Sequence, residues 1–184
     1  INFARMDAVP AALQEGYMSA RSFSRIPISL TLSTLAMAVT VGTALGFEHL
    51  GGYIPCHLCL LERNPYYIGV PVGILGLLAW RFGLPRLVAR LALLVIAGLM
   101  VWGMVMGVYH AGVEWHWWAG PSDCSGSMAG VTTNAMDLLG DLNSVTGPKC
   151  DEAALRVLGL SFAGWNVVAS LAIAAIALWG ARGK

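Results

Sequence analysis

Four stretches of this chain contain no Asp, Glu, Lys or Arg: Ile26–Phe47, Asn64–Trp80, Leu91–Val113 and Val157–Ala181. A helix that crosses a bilayer needs roughly 17–25 mostly apolar residues, because each adds about 1.5 Å toward a hydrocarbon core about 30 Å thick. All four stretches reach that length, Asn64–Trp80 at its lower limit. A chain of 184 residues has too little other sequence to wrap four such helices inside a soluble domain. Composition agrees, with 57% hydrophobic and 11% charged residues against about 25% charged in soluble domains. The expected fold is all-α, a membrane-embedded four-helix bundle with spans at about 27–47, 64–80, 90–112 and 158–180. An N-terminal tail (1–25), a short outer loop (48–63), a long outer loop between helices three and four (113–157) and a short C-terminal end (182–184) complete the division.

Basic residues near span ends favour the cytoplasmic side. With the N-terminus inside, that side holds Arg5, Arg21, Arg25, Arg81, Arg86, Arg90, Arg182 and Lys184, and the outer side only Arg63, Lys149 and Arg156. Both termini are therefore expected in the cytoplasm. A cleavable signal peptide is not expected: the first apolar run starts only at Ile26, is too long for a signal h-region and ends without a small-residue cleavage site. The net charge of +1 and the lack of a basic patch give no footing for nucleic acid. In the long outer loop, Trp115, Trp117 and Trp118 suit a membrane–water interface. Ala135, Leu138, Leu139 and Leu142 recur at helical spacing, which fits a short helix on the membrane surface or one packed on the bundle. Pro71 inside the second span is a candidate kink.

This topology puts all four cysteines outside, two per outer loop: Cys56 and Cys59, then Cys124 and Cys150. Disulfides persist in such a compartment. Cys56 and Cys59 form a C-x-x-C pair at the start of the second helix, where a helix N-terminus or a nearby cation tunes thiolate reactivity. A static bridge there closes too short a loop to restrain much chain entropy. Arg63 lies one turn after Cys59 and would stabilise its thiolate or polarise an acceptor carbonyl; the alternative is an arginine snorkelling to the headgroups. Haem attachment is excluded because Leu60, not His, follows Cys59. Zinc on Cys56, His57, Cys59 and a third cysteine matches no usual ligand spacing, so no metal is assigned. Cys124 and Cys150 lie in a segment with Gly126, Gly130, Gly147 and Pro148, which suits either a structural bridge or a mobile, exchanging one.

The run Cys56-His57-Leu58-Cys59-Leu60-Leu61-Glu62-Arg63, with two more cysteines in the second outer loop, resembles the DsbB family of membrane thiol oxidases. Tyr109-His110-Ala111-Gly112-Val113-Glu114 resembles that family's entry into its second loop. The resemblance implies a bacterial inner-membrane enzyme with periplasmic catalytic cysteines Cys56, Cys59, Cys124 and Cys150. A reduced thioredoxin-fold oxidase similar to DsbA would attack a Cys124–Cys150 disulfide at Cys124; Cys150 would then attack Cys56 and release Cys59. Cys59, assisted by Arg63, would pass two electrons to ubiquinone or menaquinone from the lipid, and so to the respiratory chain. His110 and Glu114 would line the quinone pocket, although His110 equally suits a helix cap. Glu62 fits the family pattern or simply pairs with Arg63. A second membrane family with a C-x-x-C, vitamin K epoxide reductase, carries that motif late in its chain, whereas here it comes first. A non-catalytic scaffold with two structural disulfides is the alternative of a different class.

Overall fold

The computed structural model describes residues 25–121 and 150–183. The N-terminal tail, the amphipathic stretch at 135–142 and Cys124 lie outside the described residues. Four helices dominate: α1 (Arg25–His49), α2 (His57–Arg81), α3 (Arg86–Glu114) and α4 (Phe162–Ala181). By length and composition α1, α3 and α4 can each cross a membrane. The more polar α2 opens with His57, Glu62, Arg63 and Asn64.

Sequence neighbours pack side by side, and α1 closes against α4, so the helices form a ring with little contact across the α1–α3 diagonal. Short connections favour such antiparallel neighbours. The core runs along the axis through Leu30, Met37, Leu93, Ile96, Met100 and Ile173. Many large apolar side chains point outward instead, among them Leu35, Val39, Leu75, Trp102 and Leu171. A water-soluble bundle would carry charge there; lipid accepts apolar surface at no cost. The helices meet over small residues, as membrane helices do. A Cβ at Gly73 would collide with Thr34 on α1, so that pair fixes how closely α1 and α2 approach.

Two helix starts differ from the charge-free runs. The second helix begins at His57 rather than near Asn64, because Cys56 caps it; half of the expected 48–63 loop is therefore helical. The fourth begins at Phe162 rather than 158. Arg156–Val157 and Leu160–Ser161 pair as a small antiparallel hairpin, and the Ser161 hydroxyl then accepts from the Gly164 N–H at 3.2 Å. Both turn residues, Leu158 and Gly159, have positive φ (53° and 86°), the geometry of a tight hairpin turn that glycine adopts freely and leucine does not. Helix α2 continues unbroken through Pro65 and Pro71.

One end of the bundle is basic. Arg81 closes α2 and Arg86 opens α3; Arg90 donates to the Gly183 carbonyl at 2.7 Å, and the Arg25 guanidinium lies 5.1 Å from the Trp179 ring centre. Cys56 caps the opposite end of α2, where the Trp115–Trp118 cluster also follows α3.

Candidate active site

The start of α2 fixes the cysteine pair. Cys56 is the N-cap, with extended backbone, and its Sγ accepts a hydrogen bond from the Cys59 N–H at 3.3 Å. A C-x-x-C motif straddling a helix start thus puts the first sulfur at the positive end of the helix dipole and the second in the first turn. The two sulfurs are 2.8 Å apart, and both are free thiols. Cys56 is buried and Cys59 half-buried.

Behind the pair runs a chain of buried polar side chains. His110 of α3 brings Nε2 to 3.6 Å from Cys56 Sγ, and its Nδ1 is 2.7 Å from Glu62 Oε1. Asn166 of α4 donates through Nδ2 to Glu62 Oε2 at 2.8 Å and to the Gly103 carbonyl at 3.3 Å. The Tyr66 hydroxyl donates to Asn166 Oδ1 at 2.6 Å and lies 2.9 Å from Ser170 Oγ. Helical spacing lines these groups up: Cys59, Glu62 and Tyr66 share one face of α2, and Asn166 and Ser170 one face of α4. A buried carboxylate is stable only when paired and hydrogen-bonded, and His110 and Asn166 supply those partners. Gly107 makes the approach possible, since a Cβ there would lie 3.1 Å from Asn166 Nδ2.

The Cys59 thiol donating to the Cys56 sulfur, helped by His110 and opposed by burial, holds Cys56 well below the usual thiol range. A lowered value means that the thiolate persists as pH falls through the range where a free cysteine protonates. In the reduced protein the thiolate ultraviolet band is expected to survive well into acid. His110→Ala should move its midpoint upward; an unchanged titration curve would show that His110 does not set the Cys56 charge.

A cavity of about 850 Å³ opens beside the pair, within the range of small-molecule sites. Cys56, Cys59, Arg63, His110 and Glu114 all lie on its wall. Phe47, Tyr53 and Phe162 form an aromatic cluster on the same wall, the Phe47 and Phe162 rings 5.1 Å apart. Cavity size, the aromatic wall and an arginine on the same wall as the thiols fit a planar, carbonyl-bearing ring such as a quinone head.

The structure alters several sequence-level assignments. Arg63 pairs not with its neighbour Glu62 but with Glu48 at the end of α1. Glu62 turns instead to His110 and Asn166. His110 is no helix cap; it is buried a full turn inside α3. Its ion-pair partner is Glu62, while Glu114 Oε1 stands 3.9 Å from Nε2. His57 is exposed. Cys150 is disulfide-bonded and almost fully buried, in one hydrophobic cluster with Cys56, Leu58 and Val113.

Asn166, Tyr66 and Ser170 were not singled out from sequence. The available signal was Asn166 itself, an amide inside the apolar run Val157–Ala181, since polar groups at membrane depth normally serve a site.

The chain is 29% identical over 167 residues to Disulfide bond formation protein B of Dechloromonas aromatica (strain RCB), covering 84% of this chain and 93% of that one. It is 23% identical over 150 residues to the uncharacterized protein RP370 of Rickettsia prowazekii (strain Madrid E), covering 79% and 81% respectively. No solved structure matches. The family model described as Disulfide bond formation protein DsbB matches residues 27–180, which takes in all four helices. The chain therefore belongs to the DsbB family of disulfide-forming, multi-pass membrane proteins.

Proposed function

We propose that this protein is a thiol:quinone oxidoreductase of the bacterial inner membrane that reoxidises a periplasmic, DsbA-like thioredoxin-fold protein. The observation that carries this reading is the burial of Cys150 and Cys56 in one cluster, with Cys59 of the same pair on the cavity wall. That arrangement gives electrons a sulfur-to-sulfur route from the outer loop into the bundle. The positions of Arg25, Arg81, Arg86, Arg90 and Arg182 at helix ends away from the cysteines support an outward-facing site with both termini cytoplasmic.

The partner thiolate attacks Cys124 of a Cys124–Cys150 disulfide and expels the Cys150 thiolate. Cys150 then attacks Cys56 of an oxidised Cys56–Cys59 pair, and Cys59 leaves as a thiolate. The second partner thiol releases the oxidised partner from Cys124, and Cys124 resolves the Cys150–Cys56 bridge. The result is a restored outer disulfide and the free Cys56–Cys59 dithiol seen here. A bound ubiquinone or menaquinone supplies an acceptor for two electrons and two protons. Arg63 orients a carbonyl oxygen from the cavity wall. His110, held through Nδ1 by Glu62, takes the Cys56 proton on Nε2. Membrane lipid and the respiratory quinone pool are thus the surroundings on one side, and the soluble oxidase the partner on the other.

The test is quinol formation by the purified protein with a reduced thioredoxin-fold donor. One quinol per donor disulfide, dependent on Cys56 and Cys59, is the expected result. No quinol, with both cysteine pairs remaining oxidised beside a competent donor, would return the chain to the disulfide-scaffold reading. In the same assay Arg63→Gln is expected to raise the quinone KM about tenfold, the loss of one charge-assisted hydrogen bond of about 1.4 kcal/mol. An unchanged KM would remove Arg63 from the quinone site.

A further inference from the structure

We propose that the reduced Cys56–Cys59 pair, together with His110 Nε2 and the Glu114 carboxylate, is a binding site for a thiophilic divalent cation such as Zn2+. This site stands on ligand geometry and does not depend on the quinone reading. The sulfurs of Cys56 and Cys59 and a ring nitrogen of His110 all lie within 4.8 Å of one another. Tetrahedral zinc, with bonds of about 2.3 Å to sulfur and 2.0 Å to nitrogen, sets its ligands about 3.3–3.8 Å apart. The Cys56 Sγ–His110 Nε2 distance of 3.6 Å already fits, and the 2.8 Å sulfur separation needs to open by about 1 Å.

Two further observations point to a cation. His110 Nδ1 is engaged by Glu62, itself held by Asn166, which is the carboxylate–histidine arrangement that orients a ring and leaves Nε2 to the metal. Glu114, nearly fully buried, has Oε1 3.9 Å from Nε2, while its Oε2 makes no hydrogen bond to the described residues. A buried carboxylate oxygen without a partner is costly; Glu114 stands outside the 4.8 Å cluster of Cys56, Cys59 and His110, and a small swing of its side chain would make it the fourth ligand. All four side chains line the same cavity, which provides an entry path.

Sequence spacing did not reveal this ligand set. His57, the histidine inside the motif, is exposed, and the fold substitutes His110 from another helix. The site is gated by oxidation state: sulfurs joined in a disulfide are not thiolate ligands. A cation bound to the dithiol displaces the protons still carried by the thiols and occupies the electron pairs needed for oxidation. It would therefore hold the protein in its reduced state whenever a soft metal is in excess.

The test uses the full chain in detergent with Cys124→Ser and Cys150→Ser, so that Cys56 and Cys59 are the only thiols. Co2+ added to the reduced protein is expected to bind at one ion per chain. It should give tetrahedral visible bands and a thiolate-to-cobalt charge-transfer band, and be released when the pair is oxidised. Zinc X-ray absorption should read two sulfurs and two nitrogen or oxygen ligands. Glu62→Gln is expected to weaken Co2+ binding about 10- to 100-fold through the second shell, and His110→Ala more. Absence of tetrahedral bands, or equal affinity in His110→Ala, overturns the site. If His110→Ala does not fold, unchanged affinity in Glu62→Gln overturns it instead.

Discussion

Replacing Cys59 with serine is expected to abolish donor-dependent quinol formation while leaving the bundle folded. Serine keeps the N–H that caps the helix onto Cys56 Sγ and a hydroxyl that can donate where the thiol does. It cannot form the Cys56–Cys59 disulfide, so Cys150 has no bond to attack and no electron pair reaches the cavity wall. The measurement is quinol absorbance with a reduced donor, alongside thermal unfolding to confirm the fold. Retained turnover would place the electron exit elsewhere.

Glu62→Gln is expected to lower turnover about a hundredfold, the usual scale for a positioned acid–base group. Glutamine occupies the same volume and can still accept from His110 Nδ1, but the charge that stabilises a protonated imidazole is gone. Asn166 must also turn its amide, since its Nδ2 donates to Glu62 Oε2. The loss should fall on kcat rather than on the quinone KM, because the role proposed for Glu62 runs through its hydrogen bond to His110. A Glu62→Gln protein with wild-type kcat and pH profile would reduce the buried polar chain to a packing feature. If Glu62 matters only for folding, thermal stability falls and the kcat of the folded fraction does not change.

Both experiments depend on a division of labour along the chain. Arg63 and Glu62 are adjacent in sequence, and as charged neighbours they invite pairing with each other. On α2 their side chains leave in different directions. Arg63 crosses to Glu48 on α1, whereas Glu62 turns toward α3 and α4. Both residues line the cavity, but only Glu62 reaches His110 beside Cys56.

The helices and the reactive pair were legible in local sequence. Charge-free runs set the helices within a few residues except at the start of α2, seven residues earlier than its run, because the bilayer length requirement and the cost of a charge in hydrocarbon act on composition alone. The C-x-x-C spacing likewise marked Cys56 and Cys59 as a pair near the start of the second helix, and the structure adds that Cys56 is its cap. Which distant groups meet that pair depends on how the helices pack. His110 is 54 residues from Cys56, and Asn166 is 104 from Glu62. Nothing in helical periodicity relates positions on separate helices. Their meeting follows from the ring order of the bundle and from glycines such as Gly107 that let α3 and α4 close up. The start of α4 was also decided nonlocally in part, as the Arg156–Ser161 hairpin took residues whose apolar character alone suited a helix. Local chemistry chose the cysteines, and packing chose the histidine, glutamate and asparagine that govern them.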